Sequence, residues 1–182
     1  MTHRIAAGST EKMLIIFRGL PGTGKTHLAK RLLDRRPDLL MLSRDTLRTA
    51  IFPRPTFSDK EKTFVDELIV AMAGFLLGRG SSVVIDGMAL SSARRLDEFA
   101  QAAAAHRKAV RIIECICPQS TALARIAADQ GNHPAGDRGP ELYNRVRERF
   151  EPTDLPLLRI DTDVDEEENL NAVLSYIENP PV

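Results

Sequence analysis

Residues 17–32 read FRGLPGTGKTHLAKRL, and within them Gly19 to Thr26 spell G-x-x-x-x-G-K-[ST]. The run MLIIFR (Met13 to Arg18) leads in, apolar, of strand length, and closed by Gly19. Beyond the turn, Leu28, Ala29, Leu32 and Leu33 recur at helical spacing until Pro37 ends the pattern. The stretch is thus read as strand, tight turn and helix. Glycines let successive backbone N–H groups turn inward around an oxyanion, and the helix N-terminus adds partial positive charge. Such a turn is expected to hold a nucleotide's phosphates, with Gly22, Thr23, Gly24, Lys25, Thr26 and His27 as the binding residues. Lys25 would neutralise the outer phosphates, and the Thr26 hydroxyl would take one site on Mg2+.

Working outward, four more apolar runs follow: Leu39 to Ser43, Val83 to Asp86, Val110 to Cys117 and Leu157 to Asp161. Helical patterns separate them. Asp45 to about Phe52 is a short helix stopped by Pro53 and Pro55. A longer one starts after Ser58, where Ser58 and Glu61 form a capping-box pattern and Phe64, Leu68, Ala71 or Met72, and Phe75 form the inward stripe. Ser91 to His106 turns Leu96, Phe99, Ala100 and Ala103 inward. Pro118 opens the next helix, Glu141 to about Phe150 is another, and Asp165 and Glu168 stand at the positive end of the last. Five strands alternating with helices predict one α/β domain over residues 1–182, a parallel sheet covered on both faces. Ligands of such sheets gather where the strands end. Asp86 ends the third strand, where a carboxylate can stand near the metal's water shell.

Lys plus Arg and Asp plus Glu both number 25, so any polyanion must be caught locally rather than by the field of the whole protein. MTHRIAAGSTEK lacks the apolar core of a signal peptide, and no later run has the length of a membrane helix, so a soluble cytoplasmic protein without a membrane partner is expected. Cys115 and Cys117, two apart on one strand, are poorly placed to bridge and read as core residues in a reducing compartment. No N-K-x-D guanine-reading sequence occurs, which favours ATP over GTP.

SRDTLR (Ser43 to Arg48) closes the second strand. Asp45 there can cap the short helix, and it can also accept the proton of an incoming hydroxyl. Arg48, three residues on and on the same face, can fork onto a phosphate or carboxylate of the acceptor. Arg94 and Arg95 follow the Asp86 strand and read either as cleft residues or as surface charges.

Taken in order, GLPGTGKTHLAKRL, SRDTLR, VVIDGMALSSARR, CPQSTALARI with its Gly/Pro loop, and RFEPTDLP resemble the small P-loop kinases related to polynucleotide 5′-hydroxyl kinases. The similarity spans nearly the whole chain. It implies a three-layer α/β/α P-loop fold with sheet order 2-3-1-4-5 and a small lid, about residues 129–140. It further implies that Asp45 is the general base toward the acceptor hydroxyl, that Arg48 binds the acceptor's phosphate, and that Arg125 is the first lid arginine. Asp129 stands where many such kinases carry a second arginine, and Arg138, across the loop, is the candidate substitute. His133 in that loop reads as solvated. The expected activity is transfer of a phosphoryl group from Mg·ATP to an alcohol. The acceptor is either a nucleic-acid or nucleotide 5′-hydroxyl or a small molecule such as a sugar or an antibiotic. An ATPase or a regulatory nucleotide-binding module remains the reading from another class.

Overall fold

The computed structural model describes residues 11–129 and 139–179. β1 (Met13–Arg18) is buried at all six positions because strands flank both its edges and helices cover both its faces. β2 (Leu39–Ser43), β3 (Ser82–Asp86), β4 (Ala109–Ile116) and β5 (Leu157–Asp161) complete a parallel sheet of order β2-β3-β1-β4-β5. This is the order that the resemblance implies. It puts the end of β1, and the glycine turn after it, where the chain switches from one side of the sheet to the other.

The period-two alternation of β1 divides the core. Met13, Ile15 and Phe17 pack with α1 (Lys25–Arg35) and α7 (Glu166–Glu178), while Leu14 and Ile16 pack with α3 (Asp59–Gly78) and α4 (Ala93–Ala104). A smaller cluster joins α5 (Gln119–Ala128) to α6 (Pro140–Glu148) through Ala122, Ile126 and Tyr143. Among the described residues, no helix is long and apolar enough to cross a membrane.

Three local expectations are corrected. In α3 the buried residues are Val65, Ile69, Ala73 and Leu77, whereas Phe64 is 50% and Phe75 68% exposed. The helix carries two apolar stripes one residue apart, and the one without aromatic rings packs against β1, β3 and α4. Beside it, a Cβ added at Gly74 would make ordinary contact with the Ala102 Cβ of α4, at 3.9 Å. Phe64 instead meets Phe52 edge-on at 5.9 Å. At α2 (Arg44–Ile51) the cap is Ser43, whose Oγ accepts from the Thr46 N–H; Asp45 sits in the first turn. The capping box of α3 is half formed. Ser58 Oγ accepts from the Glu61 N–H at 3.4 Å, but the Glu61 carboxylate accepts from the Thr56 N–H at 2.7 Å and its hydroxyl at 2.9 Å.

The two stripes of α3 differ in energy. Ile69→Ala is expected to cost about 2–5 kcal/mol as a core truncation. Phe75→Ser should stay within about 0.5 kcal/mol, like other exposed changes. Urea unfolding midpoints of the two variants check this, and equal losses would restore the stripe expected from the sequence.

Candidate active site

The phosphate-loop backbone is fixed by two close approaches. Gly19 has φ 142° and a Cβ there would stand 2.3 Å from the Cys115 carbonyl oxygen; Gly22 has φ 82° and its Cβ would stand 2.4 Å from the Ala122 oxygen. Only glycine fits both the angle and the space. The turn is therefore pressed against the end of β4 and the start of α5. Gly19 N–H also donates to the Ala89 carbonyl at 3.1 Å, tying the turn to the segment after β3. Within the turn, Lys25 Nζ donates to the carbonyls of Gly19 at 2.9 Å and Leu20 at 2.7 Å.

Thr26 Oγ1 donates to Asp86 Oδ1 at 3.1 Å, so the two residues expected at the metal are in contact. Asp86 is 1% exposed, and its Oδ2 is buried without a hydrogen bond among the described residues. A buried carboxylate oxygen is costly until something satisfies it. A hydroxyl beside a carboxylate is a hard-oxygen donor pair, and the residues present fit a hydrated Mg2+.

Lys25 and Thr26 open onto a cleft of about 480 Å³ that Asp45 and Arg48 of α2 also line. Four expected site residues thus share one cavity. Arg95 and Arg94 of α4 line it as well, as do Arg145 of α6 and Arg149 at the end of that helix. Arg48, however, is only 2% exposed. Its Nε stands 3.2 Å from Glu61 Oε1, its Nη1 3.8 Å from Asp45 Oδ1, and its guanidinium lies 5.1 Å from the Phe57 ring centre. Burial pushes the Glu61 carboxyl up, but hydrogen bonds from Thr56 and the Phe57 backbone, with the charge of Arg48, hold it below its ordinary value. Nearby, Asp66 is shared by Arg44 at 3.6 Å and Arg95 at 3.7 Å. Burial raises the Asp66 carboxyl despite these two cations.

A second cavity, of about 490 Å³, opens on the other side of the loop, between Gly24 and the residues after β5. Arg125 lines this one. Its guanidinium donates to Thr162 Oγ1 at 3.0 Å and to the Thr162 carbonyl at 2.8 Å, with Asp163 at 3.7 Å. Thr162 Oγ1 in turn reaches the Thr23 carbonyl at 3.1 Å and the Ile116 carbonyl at 3.2 Å. His27 stands at the mouth, 3.0 Å from Glu166, and that hydrogen bond holds the Glu166 carboxyl below its usual range. Arg138, His133 and nearly all of the expected lid lie outside the described residues.

The sequence reading missed Thr162, Glu61, Arg145 and Arg149. For Thr162 the available signal was its place just after a strand of a parallel sheet. For Arg145 and Arg149 it was their spacing of four on an amphipathic helix. Glu61 was read as a cap.

Fold and site together define a P-loop nucleotide-binding domain of the kinase-like kind. The AAA domain family AAA_33 matches residues 14–153, and the chain belongs to that family. Among solved structures, a Chloroflexus aurantiacus protein provisionally assigned as a kinase is 23% identical, with TM-score 0.74 over 96% of this chain and 100% of that one. A sugar kinase from Janibacter sp. is 14% identical, with TM-score 0.68 over 93% and 96%. The APS kinase of Mycobacterium tuberculosis, solved with AMPPNP and APS, is 18% identical, with TM-score 0.64 over 93% and 99%. These likenesses establish the three-layer α/β fold.

Gly22→Ala tests the loop geometry. Isothermal titration with AMPPNP and Mg2+ should show at least about a tenfold loss of affinity, the order of a displaced charge-assisted hydrogen bond. Gly80→Ala is the matched control, since Gly80 also has positive φ, at 81°, but an added Cβ meets nothing within 4 Å.

Proposed function

We propose that this chain is an ATP-dependent phosphotransferase acting on an alcohol bound in the cleft beside Asp45. One observation supports it most: Lys25 and Thr26 of the phosphate loop line the same cavity as the Asp45 carboxylate. A loop that only hydrolysed ATP would need no carboxylate across a cavity sized for a second substrate. In this reading the second cavity, beside Gly24, takes the nucleotide base.

Asp45 accepts the proton of the acceptor hydroxyl. The acceptor oxygen forms a bond to the γ-phosphorus, the bond from that phosphorus to the β,γ-bridging oxygen breaks, and the electron pair leaves with ADP. Lys25 holds the phosphates in line throughout, and Arg125 with Arg138 supplies positive charge as the lid arginines. Thr26 and Asp86 would hold Mg2+, which spreads the negative charge of the outer phosphates. The acceptor of this reading is a nucleotide-like 5′-hydroxyl, supported by the SRDTLR segment; a small sugar or antibiotic is the alternative. The domain, residues 1–182, would work in the cytoplasm.

Asp45→Asn separates the phosphotransferase from an ATPase. Turnover with acceptor should fall about 10²- to 10⁴-fold, the range for loss of a general base, with the Kd for AMPPNP within about twofold of wild type. An unchanged rate in Asp45→Asn would remove the assigned base. Brisk hydrolysis of γ-labelled ATP with no alcohol ever labelled would replace the kinase by the ATPase.

A further inference from the structure

Eight cationic side chains line the cleft beside Asp45, against three carboxylates. Since the whole chain carries 25 of each sign, this surplus is a local choice. Most of the cations already have work. Lys25 belongs to the phosphate loop, Arg44 and Arg95 share Asp66, and Arg94 lies 3.4 Å from Glu98. Lys62 is also engaged. Arg48, the residue that the resemblance assigns to the acceptor's phosphate, is only 2% exposed and stands in ion-pair range of Glu61 and Asp45.

Arg145 and Arg149 remain. Among the described residues neither side chain makes a hydrogen bond or an ion pair, and both are exposed. Arg145 stands in the last turn of α6 and Arg149 is its C-cap, and both line the cleft. Leu142 and Val146, between and beside them, line the cleft too. Arg147, the intervening basic residue, turns away to donate to Gln119 at 2.7 Å. The C-terminal end of α6 is also held firmly. Arg18 at the end of β1 donates to the Glu151 carbonyl at 2.8 Å and lies 4.3 Å from the Phe150 ring centre, while the Glu151 carboxylate accepts from the Ala93 N–H at 2.7 Å. Two guanidiniums without an ion pair among the described residues thus line, from an anchored helix and its C-terminal end, the cavity that Asp45 also lines. That is a fork for an anion, of the kind Arg provides better than Lys.

We infer that Arg145 and Arg149 bind an anionic group on the acceptor, so that the substrate is a small alcohol bearing a phosphate or carboxylate. The inference rests on the phosphotransferase reading. The acceptor lies with its charged end toward α6 and its hydroxyl toward Asp45. A neutral sugar or a cationic aminoglycoside leaves the two arginines unanswered and is a poor substrate.

The test uses the full chain, γ-labelled ATP and four alcohols at equal concentration: thymidine 3′-monophosphate, D-gluconate, D-glucose and kanamycin. Labelling of the phosphate or the carboxylate acceptor, at least about tenfold above the other two, is expected, and which of the pair dominates identifies the anion. Arg145→Ala and Arg149→Ala should each raise the KM for that acceptor about tenfold while the KM for ATP stays within twofold, and Arg147→Ala should match wild type. Arg145→Lys should recover part of the loss. If glucose or kanamycin is labelled best, the anion subsite is wrong and the phosphotransferase stands. If the arginine variants instead raise the KM for ATP, the two residues belong to the donor side and the assignment falls. If ATP is hydrolysed and none of the four is labelled, nor any other alcohol, both readings fail together.

Discussion

Two backbone carbonyls, those of Cys115 and Ala122, stand where side chains would begin at residues 19 and 22. The rest of the site depends on that contact. It presses the phosphate loop onto the end of β4 and the start of α5, and it can exist only because the sheet places β1 beside β4. From there the geometry spreads in two directions. Toward α5, Thr162 joins the Thr23 carbonyl to Arg125. Toward β3, the Gly19 N–H donates to the Ala89 carbonyl, and the residues just beyond line the cleft that also holds Asp45. A turn that looks like a local motif is thereby welded to the loops at three strand ends.

The electrostatics follow the same plan. A chain without net charge does not draw a polyanion by its overall field, and eight cations against three carboxylates gather around one cleft. Burial sharpens the pattern. Arg48 and Glu61 are both nearly dry, and breaking such a pair would leave an uncompensated charge, which costs far more than the intact pair contributes.

The sheet, its order and the phosphate loop were legible in the sequence because each signal was redundant. The G-x-x-x-x-G-K-[ST] spacing, the strand before it and the helix after it all required the same geometry, and the resemblance carried the strand order. The contact between Thr26 and Asp86 was legible for the same reason, each lying at the end of a recognisable element. What could not be read were choices made across the chain. Both stripes of α3 satisfy a helical period, and only the packing against the sheet and α4 separates Val65 and Ile69 from Phe64 and Phe75. The spacing of Asp45 and Arg48 suggested a shared face but said nothing of Glu61, which meets Arg48 from the following helix. Thr162 meets the phosphate loop from 139 residues away, beyond the reach of any local pattern.

The bonds from Lys25 to the Gly19 and Leu20 carbonyls carry one more consequence. A ligand cannot use the lysine without first taking it from two oxygens of its own loop. Each such charged hydrogen bond is worth about 1.5–3 kcal/mol, so capture begins with a debt that the newcomer's own negative charge must cover. At this lysine an anion with several charged oxygens therefore competes better with the two carbonyls than one with few, a selectivity that comes from the loop's own bonds before any other contact is made.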